Sequence, residues 1–144
     1  MHYLVLQGPN LNRLGKRDPR RYGNHTLAQV EADIADAAAE LGVTVQQYQS
    51  NHEGCLIDFL QERQDTLDGG IIVNPAGLTK AGYSLATALA DTELPVAVVH
   101  LSQLFIHDPG NRHDVFASIA TVYIAGAGWR GYRFALQTLH SRSL

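Results

Sequence analysis

The sequence has one cysteine, no long apolar run and no charged-then-apolar pattern in its first residues, and each of these features argues against a class of protein. A single thiol, Cys55, cannot form a disulfide within the chain. Because Cys55 falls in an apolar helical pattern with Leu56, Phe59 and Leu60, we expect it to be a small buried hydrophobe. No apolar run approaches the roughly 20 residues that span a bilayer, and the first residues lack the charged-then-apolar pattern of a signal peptide. The shortages predict a cytoplasmic protein that does not bind a membrane.

Positive charge is also scarce. The formal net charge is -3, and the absence of a long basic stripe argues against nucleic acid as a partner. The 144 residues, 45% of them hydrophobic, fit one domain with a single core, which we place at residues 1–144. No internal repeat or low-complexity segment divides the chain.

The basic residues are concentrated in one segment, residues 8–23, which follows the apolar run 3–6. It holds five of the eleven lysines and arginines, namely Arg13, Lys16, Arg17, Arg20 and Arg21. Such a local concentration of charge suggests an anionic ligand. Tyr22 closes the segment, and because nearby positive charge favours tyrosinate over phenol, this tyrosine could act as a base. The alternative is a solvated basic loop with a packing tyrosine.

Apolar periodicity predicts that strands and helices alternate along the chain. The predicted strands are residues 2–7, 43–49, 69–73, 95–99 and 121–125. The first predicted helix is residues 27–41, with Thr26 as its N-cap and Gly42 as its stop. The second is capped by Asn51 and carries Leu56, Phe59 and Leu60. The last two are residues 81–90 and 129–139. This alternation predicts an α/β fold with a mostly parallel sheet and helices on both faces.

Polar residues follow three of the predicted strands, in loops 10–22, 74–79 and 100–112. Ligands of open α/β sheets bind at the carboxyl ends of the strands, so these loops are expected to meet there. Asn74 can donate to a carboxylate or enolate oxygen, His100 can carry a proton at neutral pH, and Ser102 lies beside it. Each of these residue types is common in turns and caps. Their convergence with the Tyr22 loop favours a catalytic site.

Motifs spread over nearly the whole chain resemble the type II 3-dehydroquinate dehydratases. They are Gly8-Pro9-Asn10-Leu11-Asn12, Leu14-Gly15-Lys16-Arg17, Tyr22-Gly23, Gln49-Ser50-Asn51-His52-Glu53-Gly54, Asn74-Pro75, Val99-His100-Leu101-Ser102 and Gly131-Tyr132. The resemblance implies a flavodoxin-like fold with a five-stranded parallel sheet, and commonly a dodecamer built from trimers. It also implies a metal-free loss of water from 3-dehydroquinate, an anionic cyclic carboxylate, through an enolate. The turn 126–128 lacks the rest of a nucleotide-binding fingerprint, so we assign no cofactor.

The resemblance also assigns roles to individual residues. It makes Tyr22 the base that removes a proton next to the ring ketone, with Arg17 keeping Tyr22 ionised. Asn10 would help to stabilise the enolate, and His100 would protonate the departing hydroxyl. The substrate carboxylate would be held by Asn74, Ser102 and the backbone amide of Leu101.

Several positions depart from the family pattern, and most lie where the ring hydroxyls would be held. They are Lys80 for a histidine, Thr87 for an aspartate, Val98 for an acidic residue, and His107 and Asn111 for two arginines, with Arg112 one position late. We expect Lys80, Asn111 and Arg112 to contact substrate there. The changes predict a cyclic carboxylate with altered hydroxyls or poor turnover of 3-dehydroquinate. The alternative is drift in a working dehydratase, with Arg112 or His113 substituting for the missing groups.

The loss of the acidic residue at Val98 has a separate consequence. It predicts that His100 lacks the carboxylate partner that would orient its ring and stabilise its charged form.

Two other classes of function remain open. The altered positions could mark a catalytically silent binding or assembly subunit, since a fold does not guarantee a function. Alternatively, His100, His107, Asp108 and His113 could form the metal site of a hydrolase, although their spacing matches no metal motif.

Overall fold

The computed structural model of the chain describes residues 1–107 and 113–143. The strands are β1 (His2–Gln7), β2 (Thr44–Gln49), β3 (Gly70–Asn74), β4 (Val96–His100) and β5 (Val122–Ala125). The helices are α1 (Pro19–Tyr22), α2 (Leu27–Leu41), α3 (Glu53–Arg63), α4 (Tyr83–Asp91), α5 (Leu104–His107) and α6 (Arg130–Arg142). In the part of the chain that is described, no helix is both long and apolar enough to cross a membrane.

The strands form one parallel sheet in the order β2-β1-β3-β4-β5. This is the flavodoxin-like order, in which β2 is added on one side of β1 and β3 on the other. The change of side opens a crevice at the carboxyl ends of β1 and β3. Gln7 and Asn74 pair at those ends, and the Gly8 N–H donates to the Asn74 carbonyl oxygen at 2.9 Å. The predicted parallel sheet is confirmed. At its carboxyl edge, this hydrogen bond joins the loop after β1 to the end of β3.

Alternate strand residues point to opposite faces of the sheet, because successive side chains in a strand alternate in direction. One face packs against α2 and α6, with Val5, Ile72, Val99, Ile34 and Leu136 in its buried core. The other face packs against α3 and α4, with Leu6, Val73, Val98, Leu60 and Leu85 in its core. Because β1, β3 and β4 are covered on both faces, their sequences are almost continuously apolar.

Helix α2 begins and ends where the sequence predicts. The Thr26 side chain accepts from the Gln29 N–H and the Gln29 side chain accepts from the Thr26 N–H, which completes a capping box. Gly42 follows the helix with a φ of 68°, a left-handed conformation that glycine adopts without strain.

Two expectations for α3 are wrong. The residue before the helix is His52, so Asn51 is not its cap; the Asn51 Oδ1 atom instead accepts from the Asn10 N–H at 2.9 Å. Cys55 is exposed, because the buried residues of α3 are Leu56 and Leu60, four residues apart, and Cys55 is rotated about 100° away from Leu56.

Candidate active site

A cavity of about 280 Å³ lies at the carboxyl edge of the sheet, where the loops after β1, β3 and β4 meet. Seven of the ten predicted site residues line it: Arg17, Tyr22, Asn74, Lys80, His100, Leu101 and Ser102. Residues outside this set also line it, among them Leu11, Phe105, Arg21 of the basic segment and His113, which the sequence offers as a substitute for a missing group. The structure therefore brings the tyrosine loop, the Asn74 loop and His100 to one place.

Of the three other predicted site residues, only Asn10 is among those that the structure describes. Asn10 is exposed and precedes Leu11 in the loop, but it does not line the cavity. Asn111 and Arg112 lie outside the described residues. Thr87 is exposed on α4 and is likewise absent from the cavity wall.

Tyr22 is placed at the cavity by a short capped helix. The Asp18 side chain accepts from the Arg20 N–H at 3.0 Å, and Pro19 occupies the first turn, where no N–H is needed. The guanidinium carbon of Arg17 lies 3.8 Å from the centroid of the Tyr22 ring, and that of Arg21 lies 5.2 Å from it. Both cations are within the distance at which a guanidinium group is attracted to the electron-rich face of an aromatic ring.

Asn74 is held by a buried hydrogen-bond chain on the α2/α6 face of the sheet. The Asn74 Nδ2 atom donates to the Tyr132 hydroxyl at 2.8 Å, and that hydroxyl donates to the Gln7 Oε1 atom at 2.6 Å. The Asn74 Oδ1 atom accepts from the Ala76 N–H at 3.1 Å. Burial raises the pKa of Tyr132, so it remains a phenol and can donate. Since an amide nitrogen carries two hydrogens, the second Asn74 hydrogen remains for a ligand.

Replacing Tyr132 by phenylalanine is expected to weaken both stability and substrate binding. The change leaves the buried Gln7 and Asn74 amides without the partner between them, which costs about 1–3 kcal/mol of unfolding free energy. The Asn74 amide also loses its orientation, so KM should rise. Urea denaturation and steady-state kinetics measure the two effects. Tyr3→Phe is the matched control, because Tyr3 is a buried tyrosine on the same face at the start of β1. An unchanged KM in Tyr132→Phe would contradict the role of the chain in positioning Asn74.

His100 points to the opposite face of the sheet and has a carboxylate partner there. Its Nε2 atom lies 2.8 Å from the Oδ2 atom of Asp114, and the Asp114 side chain is 2% exposed. The expectation that His100 lacks a carboxylate partner is wrong, because Asp114 supplies one from another segment of the chain. Sequence patterns missed Asp114 because it follows β4 by a long loop and has no periodicity that ties it to His100.

Asp114 is itself held by two further donors. The Tyr123 hydroxyl donates to Oδ2 at 2.6 Å and the Phe116 N–H donates to Oδ1 at 2.8 Å. Burial raises the pKa of Asp114, but the hydrogen bonds from His100, Tyr123 and Phe116 outweigh burial and hold that pKa below its ordinary value. The carboxyl group is therefore ionised at neutral pH.

The cavity is suited to an anion. Arg17, Arg21 and Lys80 line it, and the ionised Asp114 lies behind His100. The described residues contain no group of three or more histidines, cysteines or acids that could hold a metal ion. Of the metal set considered from the sequence, Asp108 lies outside the described residues, and the His100 Nε2 atom already bonds Asp114.

The chain is similar to known proteins over nearly its whole length. Residues 1–140 match the family described as Dehydroquinase class II. The 3-dehydroquinate dehydratase of Roseiflexus castenholzii is 48% identical over 139 residues, which cover 96% of this chain and 88% of that protein. The 3-dehydroquinate dehydratase 2 of Corynebacterium efficiens is 46% identical and covers 99% of both chains. The crystal structure of type II dehydroquinase from Butyrivibrio crossotus superposes with a TM-score of 0.92 at 34% identity, covering 96% of this chain and 97% of that one.

Proposed function

The chain belongs to the class II dehydroquinase family, and we propose that it removes water from 3-dehydroquinate in the cavity between the loops after β1, β3 and β4. The observation that carries this proposal is the position of Tyr22 and His100 on the wall of one cationic cavity. A base and an acid that share a cavity can take a proton from one carbon and protonate the hydroxyl on the next. The activity is that of a carbon–oxygen hydro-lyase.

Tyr22 is the base in this proposal. Its phenolate takes the proton next to the ring ketone, and the electron pair moves onto the ketone oxygen to form an enolate. Arg17, stacked at 3.8 Å, supplies positive charge beside the phenolate. His100 then protonates the departing hydroxyl, and the collapse of the enolate expels it as water. Asn10, exposed in the loop beside the cavity, reaches the enolate directly or through water.

The substrate carboxylate is held by neutral donors at the sheet edge. They are the second hydrogen of the Asn74 amide, the Ser102 hydroxyl and the Leu101 N–H, all on cavity-lining residues. Lys80 lines the same cavity and contacts the ring-hydroxyl end of the substrate. Asn111 and Arg112 complete that end in the proposal, and both belong to the segment outside the described residues.

Steady-state kinetics with 3-dehydroquinate test the proposal. A kcat/KM at or above about 10⁴ M⁻¹s⁻¹, the lower end of the usual enzyme range, is expected for the natural substrate. A much lower kcat/KM, with a rate that still saturates with 3-dehydroquinate, would indicate that the part of the cavity facing the ring hydroxyls is built for a related cyclic carboxylate. No turnover of any such compound would leave the silent binding or assembly subunit as the function.

Self-association is part of the proposal. Large apolar side chains of Tyr83, Ile106 and Phe134 are exposed on the chain, and exposed apolar surface favours contacts between copies. The trimers and dodecamer that the resemblance implies would cover such surface. A cytoplasmic location accords with the composition and with this metabolic role.

A further inference from the structure

We propose that Asp114 is a positioning residue that fixes the ring orientation and the tautomer of His100, a task that the sequence leaves unassigned. This inference rests on the proposed dehydratase function, in which His100 is the proton donor. Asp114 comes from the segment before β5, while His100 ends β4, so the pair also joins two parts of the chain at the cavity.

The donors around Asp114 determine which nitrogen of His100 carries a hydrogen. An ionised carboxylate can only accept hydrogen bonds. Because the Asp114 Oδ2 atom lies 2.8 Å from the His100 Nε2 atom, that nitrogen must be the donor. The other ring nitrogen, Nδ1, is therefore the one through which His100 can exchange a proton with a ligand.

Asp114 cannot turn away from His100 without losing its other bonds. The Phe116 N–H is a fixed backbone donor to Oδ1, and the Tyr123 hydroxyl donates to Oδ2. Burial and the Asp114 carboxylate raise the pKa of Tyr123, so Tyr123 remains a donor. An ionised carboxylate that is 2% exposed is stable only when its oxygens are bonded in this way.

The consequence for the reaction is a proton held ready at Nδ1. In the imidazolium form the Nε2–H bonds Asp114, and the Nδ1–H gives its proton to the departing hydroxyl oxygen as the carbon–oxygen bond breaks. Water leaves, and His100 becomes neutral with its Nε2–H still bonded to Asp114. His100 is the catalytic residue in this step and Asp114 acts through it.

The variant Asp114→Asn tests the proposal while keeping the shape of the side chain. The Phe116 N–H still requires an oxygen at the Oδ1 position, so the amide nitrogen takes the Oδ2 position and donates to the His100 Nε2 atom. That forces the neutral ring into the Nδ1–H tautomer. A second proton, on Nε2, would place the Nε2–H against the N–H of the new amide. We expect kcat to fall about 100-fold or more, the usual contribution of a general acid, with a much smaller change in KM.

Two readouts separate this role from a structural one. Nitrogen NMR of the imidazole, at a pH where the ring is neutral, should show the Nε2–H tautomer in the natural protein and the Nδ1–H tautomer in Asp114→Asn. Asp33→Asn is the matched control, because Asp33 pairs with Arg133 at 2.9 Å on the outer helices, away from the cavity. It should lose some stability and keep its kcat.

A second-site variant gives an independent test. Val98 is buried two residues before His100 on β4, so a side chain there points to the same face of the sheet. Val98→Glu combined with Asp114→Ser should return a carboxylate to His100 and recover part of the lost kcat.

The outcomes distinguish this inference from the proposed function. Two results would overturn the role of Asp114 even in an active dehydratase. One is an Asp114→Asn variant in which His100 keeps the Nε2–H tautomer. The other is a loss of kcat fully explained by the fraction of the variant that is unfolded. If the natural protein does not turn over 3-dehydroquinate but the tautomer switches, the proposed function fails and the positioning role stands.

Discussion

Replacing Tyr22 by phenylalanine is expected to remove nearly all turnover of 3-dehydroquinate and to leave the fold intact. The change deletes the phenol oxygen that takes the substrate proton, and loss of a general base costs about 100-fold to 10⁴-fold in rate. The ring, its packing and its contact with Arg17 at 3.8 Å remain, so the melting temperature should change little. Single-turnover and steady-state assays measure the rate, and calorimetry measures the melting temperature.

Tyr48→Phe is the matched control for this experiment. Tyr48 lies on β2 and stacks on Phe59 with ring centroids 4.0 Å apart, away from the cavity wall. It should therefore keep normal turnover after the same chemical change. Near-normal turnover in Tyr22→Phe would refute the assignment of Tyr22 as the base.

Gly8→Ala adds a single methyl group at the site and is expected to lower the free energy of unfolding more than the other substitutions considered. A methyl group at Gly8 would lie 2.5 Å from the Pro75 carbonyl oxygen and 3.0 Å from the Asn74 carbonyl oxygen. These are backbone atoms, and the Gly8 N–H bonds that same Asn74 oxygen, so neither side can move away without opening the join between β1 and β3. Overpacking of this kind costs about 1–3 kcal/mol, and we expect the upper end of the range.

The Gly8→Ala substitution should also reduce activity, because it displaces Asn74 from the position in which Tyr132 holds it. Urea denaturation and kinetics check the two effects. Gly54→Ala is the control: Gly54 lies in α3 with nothing within 4 Å of an added methyl group, and alanine is the better helix former. A Gly8→Ala variant as stable as Gly54→Ala would show that the two loops are not locked together.

Local patterns in the sequence predicted the five strands, their parallel arrangement and the four longer helices, but not the short helices α1 and α5. The start and end of α2 follow from Thr26, Gln29 and Gly42, which act within one turn of the helix. The strands were predictable because residues buried on both faces form short apolar runs bounded by turns. The errors at Asn51 and Cys55 were also local, since caps and the edges of a helix face change within one residue.

The sequence by itself also determined which loops meet, because parallel strands bring their carboxyl ends to one edge, and the family motifs supplied roles for Tyr22 and His100. Only the tertiary structure decided what holds the site residues. Asp114 bonds His100 across 14 residues of chain, and Tyr132 bonds Asn74 across 58. Such partners leave no periodicity, because α6 brings Tyr132 to one face of the sheet and the segment before β5 brings Asp114 to the other. A carboxylate lost from one strand can thus be replaced from another segment, and only the folded chain shows that Asp114 lies beside His100.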